Sequence, residues 1–291
     1  MSIQEARHEK YGREFVEISS SSIIEGDSHI VLQKLPDGFV QCVVTSPPYW
    51  GLRDYGVAGQ IGLEPQLQQY VDNLLLVFRE VKRVLSPTGV LWLNVGDGYT
   101  SGNRKYRVPD KKNPARTMSF RPDTPEGLKP KDLLGVPWRL AFALQADGWY
   151  LRSDVIWSKP NAMPESVKDR PTRTHEYLFM FTKSEKYYYD ATSVKEGGRN
   201  RRSVWNINTV PFLGAHFATF PPNLIFPCII SSSKPDDFVL DPFFGSGTVG
   251  EVATQSNRKF IGIELNPEYV EIAQNRLRSV SAQHFGMAGM R

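Results

Sequence analysis

Two consecutive prolines, Pro47 and Pro48, closely follow an apolar run over residues 40–44. A proline fixes its own φ angle and lacks a backbone N–H donor, so two of them cannot continue a buried central strand. The pattern therefore predicts a strand that ends in a stiff turn, with Tyr49 and Trp50 held on that turn. Because open α/β sheets bind ligands at the carboxyl ends of their strands, the turn marks a candidate ligand site.

Apolar and amphipathic segments alternate along most of the chain. Residues 21–27 and 39–45 predict strands, and residues 66–85 place apolar side chains on one face of a helix. A turn at 86–89 then leads into another strand. The remaining predicted elements are a helix at 137–149, strands at 151–157 and 175–182, and a regular closing section at 238–277. This alternation is typical of a parallel α/β sheet.

A glycine-rich turn lies between a strand and a helix near the end of the chain. Gly245, Gly247 and Gly250 satisfy the pattern G-x-G-x-x-G, and Glu264 follows Gly245 by 19 residues, at the end of the next strand. This spacing fits a dinucleotide-binding turn in which the acid binds ribose hydroxyls, so a nicotinamide-dependent oxidoreductase is one interpretation. A tight turn without any ligand is another, because such turns need glycine in any case.

Two features weigh against a nicotinamide enzyme. Asp241 ends the strand before the glycines, where its carboxylate suits a cofactor that bears an amino group and is unfavourable beside a pyrophosphate. The glycine turn also lies in the last fifth of the chain, so the first half of the sheet would be encoded last.

Four segments carry the most distinctive patterns of the chain: GDSHIVLQKLPD (26–37), TSPPYW (45–50), DPFFGSGT (241–248) and IGIELNPEYVEIAQNRL (261–277). Together they resemble the amino-group DNA methyltransferases, which use S-adenosylmethionine to methylate N4 of cytosine or N6 of adenine. Their order, with the proline turn first and the glycine turn last, resembles the beta arrangement of that family. The resemblance implies a single catalytic domain over residues 1–291, with a doubly wound Rossmann-like sheet, a circularly permuted motif order and loop insertions for DNA recognition.

The same resemblance implies roles for the residues around the glycine turn. The turn and Asp241 would hold the methionine part of S-adenosylmethionine, with backbone donors at the start of the helix receiving its carboxylate. Glu264 would bind both ribose hydroxyls, and Asp27 would accept a hydrogen bond from the adenine amino group. Asp27 could instead cap the helix that follows it. The implied cofactor-binding residues are Asp27, Thr219, Asp241, Phe243, Gly245, Ser246, Gly247, Thr248 and Glu264.

The resemblance also implies a chemical role for the proline turn. Ser46 and the carbonyl of Pro47 would accept hydrogen bonds from the exocyclic amine of the target base, which localises its lone pair toward the methyl group. Pro47 and Pro48 would fix these acceptors, because orientation supplies much of the rate gain in such a displacement. Tyr49 would stack on the base once it is flipped out of the duplex. These four residues are the predicted catalytic set, whereas Trp50 is predicted to pack in the interior.

The serine at position 46 favours cytosine as the target base. In the family that the chain resembles, adenine-specific members usually carry Asp or Asn at this place and cytosine-specific members usually carry Ser. We therefore predict methylation at N4 of cytosine, with N6 of adenine as the alternative. A catalytically silent DNA-binding regulator is a further interpretation, against which the intact Ser46–Tyr49 turn argues.

Basic residues concentrate in two irregular insertions, at about 98–132 and 190–215. Residues 103–131 carry nine Lys or Arg against three Asp or Glu, and residues 195–202 carry four against one. Clustered positive charge predicts contact with double-stranded DNA, although a solvated loop surface is the alternative. A cognate restriction endonuclease and a second copy of the chain are further partners that the sequence leaves open. The predicted DNA-binding residues are Arg104, Lys105, Arg107, Arg199, Arg201 and Arg202.

The bulk composition predicts a cytoplasmic globular protein. Two cysteines, Cys42 and Cys228, cannot build a disulfide framework or a zinc site, and no metal is expected. The first residues are charged and lack the apolar core of a secretory signal, and no apolar run approaches the length of a membrane helix. Cys42 lies inside an apolar strand and is predicted to be a core residue.

Overall fold

The computed structural model of this protein describes residues 18–101, 121–210 and 220–288, which form one eight-stranded sheet with helices packed on both faces. The strands are β1 (Ser22–Glu25), β2 (Val40–Thr45), β3 (Leu85–Val95), β4 (Tyr150–Ser158), β5 (His175–Thr182), β6 (Val204–Asn206), β7 (Phe238–Asp241) and β8 (Lys259–Glu264). The helices are α1 (Ser28–Leu32), α2 (Leu67–Val84), α3 (Val136–Ala146), α4 (Pro222–Ser232), α5 (Thr248–Gln255) and α6 (Pro267–Ala288). None of the helices in these ranges is long and apolar enough to cross a membrane.

The strand order in the sheet is β1-β8-β7-β2-β3-β5-β4-β6. All neighbours pair in parallel except β5, which is antiparallel to both β3 and β4. The predicted doubly wound α/β sheet is present, but the expected parallel direction does not hold for β5. The reason is the connection between β4 and β5: residues 159–174 contain no helix, so the chain returns from the same edge of the sheet instead of crossing over it.

The predicted turn at residues 86–89 lies inside β3. The pairing of β2 with β3 jumps from Val40–Leu85 to Cys42–Val90, so the extra residues bulge out of the ladder. A Cβ atom at Gly89 would lie 2.5 Å from Leu85 side-chain carbons, which shows how closely the chain folds over Leu85. The chain thus does change direction here, within a strand.

The central strand β2 has buried side chains on both of its faces, as a doubly wound sheet requires. Val43 belongs to the core beneath α2, which includes Phe78 and Leu140. Val44 and Cys42 belong to the opposite core, beneath α4 and α5. Cys42 is fully buried and burial raises the pKa of its thiol far above the ordinary value, so its predicted role as a core residue is confirmed.

Strands from the early and the late part of the chain meet at the centre of the sheet, where β7 pairs in parallel with β2. The carboxyl ends of β1, β8, β7 and β2 therefore lie side by side along one edge. The segments that follow these strands carry Asp27, Glu264, Asp241 and Ser46. The permuted order of the motifs thus still produces one continuous site.

Candidate cofactor and target-base site

A cavity opens at this carboxyl edge, and most of the predicted site residues line it. From the cofactor set these are Asp27, Asp241, Phe243, Gly245, Ser246, Thr248 and Glu264, and from the catalytic set Ser46, Pro47, Pro48 and Tyr49. Gly247 does not line the cavity but closes the turn behind it. Thr219, Arg104, Lys105 and Arg107 lie outside the described residues, so their assignments stay predictions.

Asp241 joins the two halves of the site. It is 2% exposed, and its Oδ1 accepts hydrogen bonds from Thr45 Oγ1 at 2.6 Å and from the backbone N–H of Phe243 at 3.0 Å. Burial raises its pKa from 3.8 to about 7, while these two hydrogen bonds oppose the shift. The carboxylate that ends β7 is thus held directly against the end of β2 and loses most of its hydration.

Glu264 connects β8 to the glycine turn. Its Oε2 accepts a hydrogen bond from Gly245 N at 2.7 Å, and its Oε1 accepts one from Asn266 N at 2.8 Å. Burial raises the pKa of this carboxyl, and the backbone hydrogen bonds counteract the shift. Both oxygens are therefore fixed in direction by backbone donors, and a carboxylate oxygen can accept a further bond from a ligand hydroxyl.

The glycine turn depends on backbone conformations that side chains disfavour. Gly245 and Gly247 have φ angles of 51° and 82°, in the left-handed region. A Cβ atom at Gly247 would also lie 3.1 Å from Ala273 of α6, so this glycine lets the turn approach that helix. Arg276 on the same helix donates to Ser246 and Thr248, whose side chains are buried. Contacts with α6 therefore fix the glycine turn on the side that faces away from the cavity.

Asp27 caps the helix that follows it and also lines the cavity, whereas its contact with an adenine amino group stays a prediction. Its Oδ1 accepts a hydrogen bond from Ile30 N at 3.0 Å and so caps α1, and the residue also lines the cavity. The neighbouring Ser28 donates to the carbonyl oxygen of Pro242 at 2.5 Å. The start of α1 is therefore tied to the glycine turn, which fixes the distance between Asp27 and the rest of the site.

The segment after the proline turn forms an apolar and aromatic wall that the sequence analysis did not assign to the site. Tyr55 packs edge-on against Tyr269, with ring centroids 6.0 Å apart. Gln60 accepts from Tyr55 N at 2.7 Å and donates to the carbonyl oxygen of Arg53 at 3.2 Å, which closes the loop on itself. Tyr269 lies in the Asn-Pro-Glu-Tyr stretch after Glu264, and that proximity is the signal that could have identified it.

The proline turn holds Tyr49 at the end of the cavity nearest β3 and β5. Tyr70 on α2 donates to the carbonyl oxygen of Pro48 at 2.8 Å, and the Trp50 indole donates to the carbonyl oxygen of Glu64 at 2.8 Å. Trp50 is buried, so its predicted packing role is confirmed. The Tyr49 hydroxyl donates to Glu176, which the sequence analysis also missed, at 2.8 Å. Burial and the nearby carboxylate raise the pKa of Tyr49 well above its ordinary value, so the phenol stays protonated.

The second basic cluster lies away from the cavity. Arg199 and Arg202 are exposed, whereas Arg201 stacks on the Trp205 ring at 4.2 Å and pairs with Glu196 at 3.3 Å. None of the three arginines lines the cavity. Their role in DNA binding stays a prediction, and the structure separates the exposed pair from the packed Arg201.

The chemistry of the cavity defines the ligand that it can accept. Its carboxylates can accept hydrogen bonds from hydroxyl and amino groups, and the start of α5 carries the backbone donors and partial positive charge that suit a carboxylate. Its side wall of tyrosine and aliphatic side chains suits a flat aromatic ring. A nucleoside that bears an amino-acid group satisfies all three features.

Three comparisons with known proteins agree on one family. The model of the N6/N4 type of DNA methylase matches residues 40–275. The Type II methyltransferase M.Cfr9I of Citrobacter freundii is 68% identical over 268 residues, which are 90% of this chain and 89% of that protein. The PvuII DNA methyltransferase, titled cytosine-N4-specific, superimposes with a TM-score of 0.69 at 24% identity, covering 93% of this chain and 94% of that one.

A further solved structure carries a ligand. It is a putative DNA modification methylase from Thermus thermophilus, titled as complexed with S-adenosyl-L-methionine. Its TM-score is 0.63 at 26% identity, covering 89% of this chain and 94% of that one. With the family match, this structure shows that the cofactor is S-adenosylmethionine, and the nicotinamide-dependent oxidoreductase is rejected.

The raised pKa of Asp241 makes a prediction about stability. Because the pKa is higher in the folded chain than in the unfolded chain, the folded state binds more protons between about pH 4 and pH 7. Stability from this group is therefore present below about pH 4 and is lost as the pH rises toward 7. Urea denaturation without cofactor should show this loss in the wild type and a weaker one in Asp241→Asn. Equal pH slopes in the two proteins would contradict the assignment, and Asp72→Asn, on the exposed face of α2, is the control.

The position of Glu264 in the cavity predicts that its replacement weakens ligand binding. In Glu264→Gln an amide NH₂ replaces one of two acceptor oxygens, so a contact with the ligand or with a backbone donor is lost. Binding of S-adenosylmethionine should weaken by about 1.5–3 kcal/mol, roughly 10- to 150-fold in Kd. Isothermal titration calorimetry measures this, with the exposed Glu268→Gln as the matched control that should bind like the wild type. An unchanged Kd in Glu264→Gln would remove Glu264 from the site.

Proposed function

This chain belongs to the N6/N4 type of DNA methylase, and from that premise we propose that it methylates the N4 amine of cytosine in double-stranded DNA as the modification enzyme of a Type II restriction system. Its methyl donor is S-adenosylmethionine. The observation that carries the proposal is the continuity of the cavity from the carboxylates and the glycine turn to the Ser46–Tyr49 turn. A donor bound on one side and a base on the other would meet inside a single space.

The cavity divides the binding of the donor among residues that are already fixed. Glu264 would bind the ribose hydroxyls, Asp27 would accept from the adenine amine, and Asp241 would accept from the amino group of the methionine part. When bound, S-adenosylmethionine supplies an electrophilic methyl group on a sulfonium. The tyrosine wall would cover the adenine ring and exclude water from it.

The proline turn supplies the acceptors that an exocyclic amine needs. Such an amine is a poor nucleophile because its lone pair is delocalised into the ring. Ser46 Oγ and the carbonyl oxygen of Pro47 accept hydrogen bonds from its two N–H groups, which directs the lone pair at the methyl group. Tyr49 stacks on the base, which must leave the duplex to reach this depth. The anchored backbone of the turn keeps these groups in place without reorganisation.

Cytosine is preferred over adenine on the strength of Ser46. The PvuII enzyme, whose title states cytosine-N4 specificity, shares the fold over nearly the whole chain and supports this choice. A Type II relative at 68% identity supports a role in a restriction–modification system, with a cognate endonuclease as the partner. N6 of adenine is the alternative target. The single-domain organisation, a homodimer and the cytoplasmic location stay predictions.

DNA would approach the carboxyl edge, where two loops meet. The first basic insertion leaves this edge after β3, and the loop over residues 159–174 leaves it after β4. The two loops contact each other, since Arg170 lies 3.9 Å above the ring of Tyr99 and Lys131 pairs with Asp169 at 2.7 Å. Because the first insertion starts beside Tyr49, we expect its basic residues to contribute more to DNA binding than those before β6.

Identification of the methylated base tests the proposed function. Duplex DNA is incubated with enzyme and S-adenosylmethionine, digested to nucleosides and analysed by mass spectrometry. We expect N4-methylcytosine, and we expect Ser46→Ala to lower its yield at least roughly 10-fold, because one of two amine acceptors is lost. N6-methyladenine without N4-methylcytosine would overturn the choice of base but not the family. Methylation of neither base would overturn the function.

The salt dependence of DNA affinity tests the proposed DNA surface. Replacing Arg104, Lys105 and Arg107 together with Gln should reduce the slope of log K against log salt by about two to three, since each lost phosphate contact contributes about 0.9. Fluorescence anisotropy across a salt series measures the slope. A slope equal to that of the wild type would place this segment away from DNA.

The control for this experiment removes the same charge from the opposite edge of the sheet. Lys34, Lys186 and Lys234 are exposed, and each lies near the amino ends of the parallel strands. The triple replacement of these lysines with Gln should leave the slope nearly unchanged. An equal reduction in both triple variants would show that total charge, and not a particular surface, determines binding.

A further inference from the structure

The tyrosine of the proline turn is held by a network that none of the functional roles above uses. The Tyr49 hydroxyl donates to Oε2 of Glu176 at 2.8 Å, and Oε1 of Glu176 pairs with the ammonium of Lys159. Glu176 is the second residue of β5, and Lys159 directly follows β4. Both therefore come from the half of the sheet that carries no cofactor-binding residue.

The ion pair is shielded from water. The side chains of Lys159 and Glu176 are 17% and 18% exposed, and the ammonium of Lys159 lies 4.2 Å from the centre of the Trp157 ring. Shielded pairs are screened less by salt than surface pairs, and loss of one partner leaves an uncompensated charge. Glu176 is thus held firmly at the position where it meets the Tyr49 hydroxyl.

The Tyr49 ring also packs closely against the backbone of Gly96. A Cβ atom on Gly96 would lie 2.6 Å from Cε2 of Tyr49 and 3.3 Å from Cδ of Glu176. Gly96 does not have a left-handed φ angle, so its backbone conformation does not require glycine. A side chain is excluded there because the Tyr49 ring occupies the space. The ring therefore rests against bare backbone on one side while its hydroxyl is anchored, and Tyr49 still lines the cavity.

The network also determines the direction of hydrogen bonding at Ser46. A carboxylate paired with an ammonium accepts hydrogen bonds, so the single phenol proton of Tyr49 is committed to Glu176. The phenol oxygen then accepts from Ser46 Oγ, which lies 3.5 Å away. With its own proton turned toward Tyr49, Ser46 keeps its lone pairs for the cavity, where the target amine needs an acceptor.

We infer that Glu176 is a positioning residue that acts through Tyr49. It fixes the ring against Gly96, and it sets the direction of the hydrogen bonds that run from Ser46 to Tyr49 to Glu176. The inference rests on the proposed function, because it concerns the flipped base and the amine that Tyr49 and Ser46 serve. It holds whichever of the two amines is methylated.

The variant that tests it is Glu176→Gln, which keeps the shape of the side chain. Its amide can donate to the phenol oxygen, which removes the fixed direction of the hydrogen bonds. At saturating DNA and cofactor, the single-turnover rate of methylation should fall about 10-fold or more. The Kd for S-adenosylmethionine should stay within about twofold of the wild type, because Glu176 does not line the cavity. A merely structural role would instead lower the affinity for S-adenosylmethionine together with the rate.

A double-mutant cycle separates action through Tyr49 from any other effect. Tyr49→Phe removes the hydroxyl, so adding Glu176→Gln to it should change the rate by less than about twofold. Glu185→Gln is the matched control, since Glu185 is exposed beyond the opposite end of β5. A wild-type rate in Glu176→Gln, or the same loss with and without the Tyr49 hydroxyl, would overturn the inference. Absence of methylation by the wild-type enzyme would overturn the proposed function first.

Discussion

The parallel pairing of β2 with β7 is the contact on which the whole site depends. It joins an early strand to a late one, and its end is secured by the hydrogen bond from Thr45 to Asp241. One strand delivers the proline turn and the other delivers the glycine turn, so a shift of one residue in this register would separate the two halves. A shift by one residue also turns every side chain of a strand to the opposite face. The side chains of β2 that pack in the two apolar cores therefore stabilise the observed register. Packing in the interior thus sets the geometry of the chemistry at the edge.

Much of this arrangement could be predicted from local sequence. The strand before the two prolines, the glycine turn and the position of Glu264 all follow from rules that involve neighbouring residues, and the structure has them in these places. Glu176 could not be identified in this way, because its relation to Tyr49 arises from the pairing of β5 with β3 across the sheet. The antiparallel direction of β5 was also missed, since a connection without a helix leaves only a weak signal in the sequence. Interactions between distant segments are the part that a single sequence does not reveal.

Charge is distributed differently in the two halves of the edge. The half at the ends of β1, β8 and β7 contains carboxylates that have lost much of their hydration. Burial raises the pKa of Asp241 and of Glu264 there. The half next to β4 and β5, where Tyr49 lies, contains the ion pair of Glu176 with Lys159, in which each charge has a partner. The first arrangement favours a ligand that brings compensating donors, whereas the second is complete before any ligand arrives. The two halves therefore have opposite electrostatic requirements although they share one cavity.

The pairing of β2 with β7 has a consequence for how the molecule is made. Thr45 and Asp241 are 196 residues apart in the chain, so their contact closes a very long loop. Closing such a loop costs entropy before any packing offsets it, and folds dominated by distant pairings form slowly. During synthesis the Ser46–Tyr49 turn leaves the ribosome well before β7, the glycine turn and β8. A nascent chain therefore lacks a complete cavity until residues 238–269 have been made, and the synthesis of this segment determines when activity can begin.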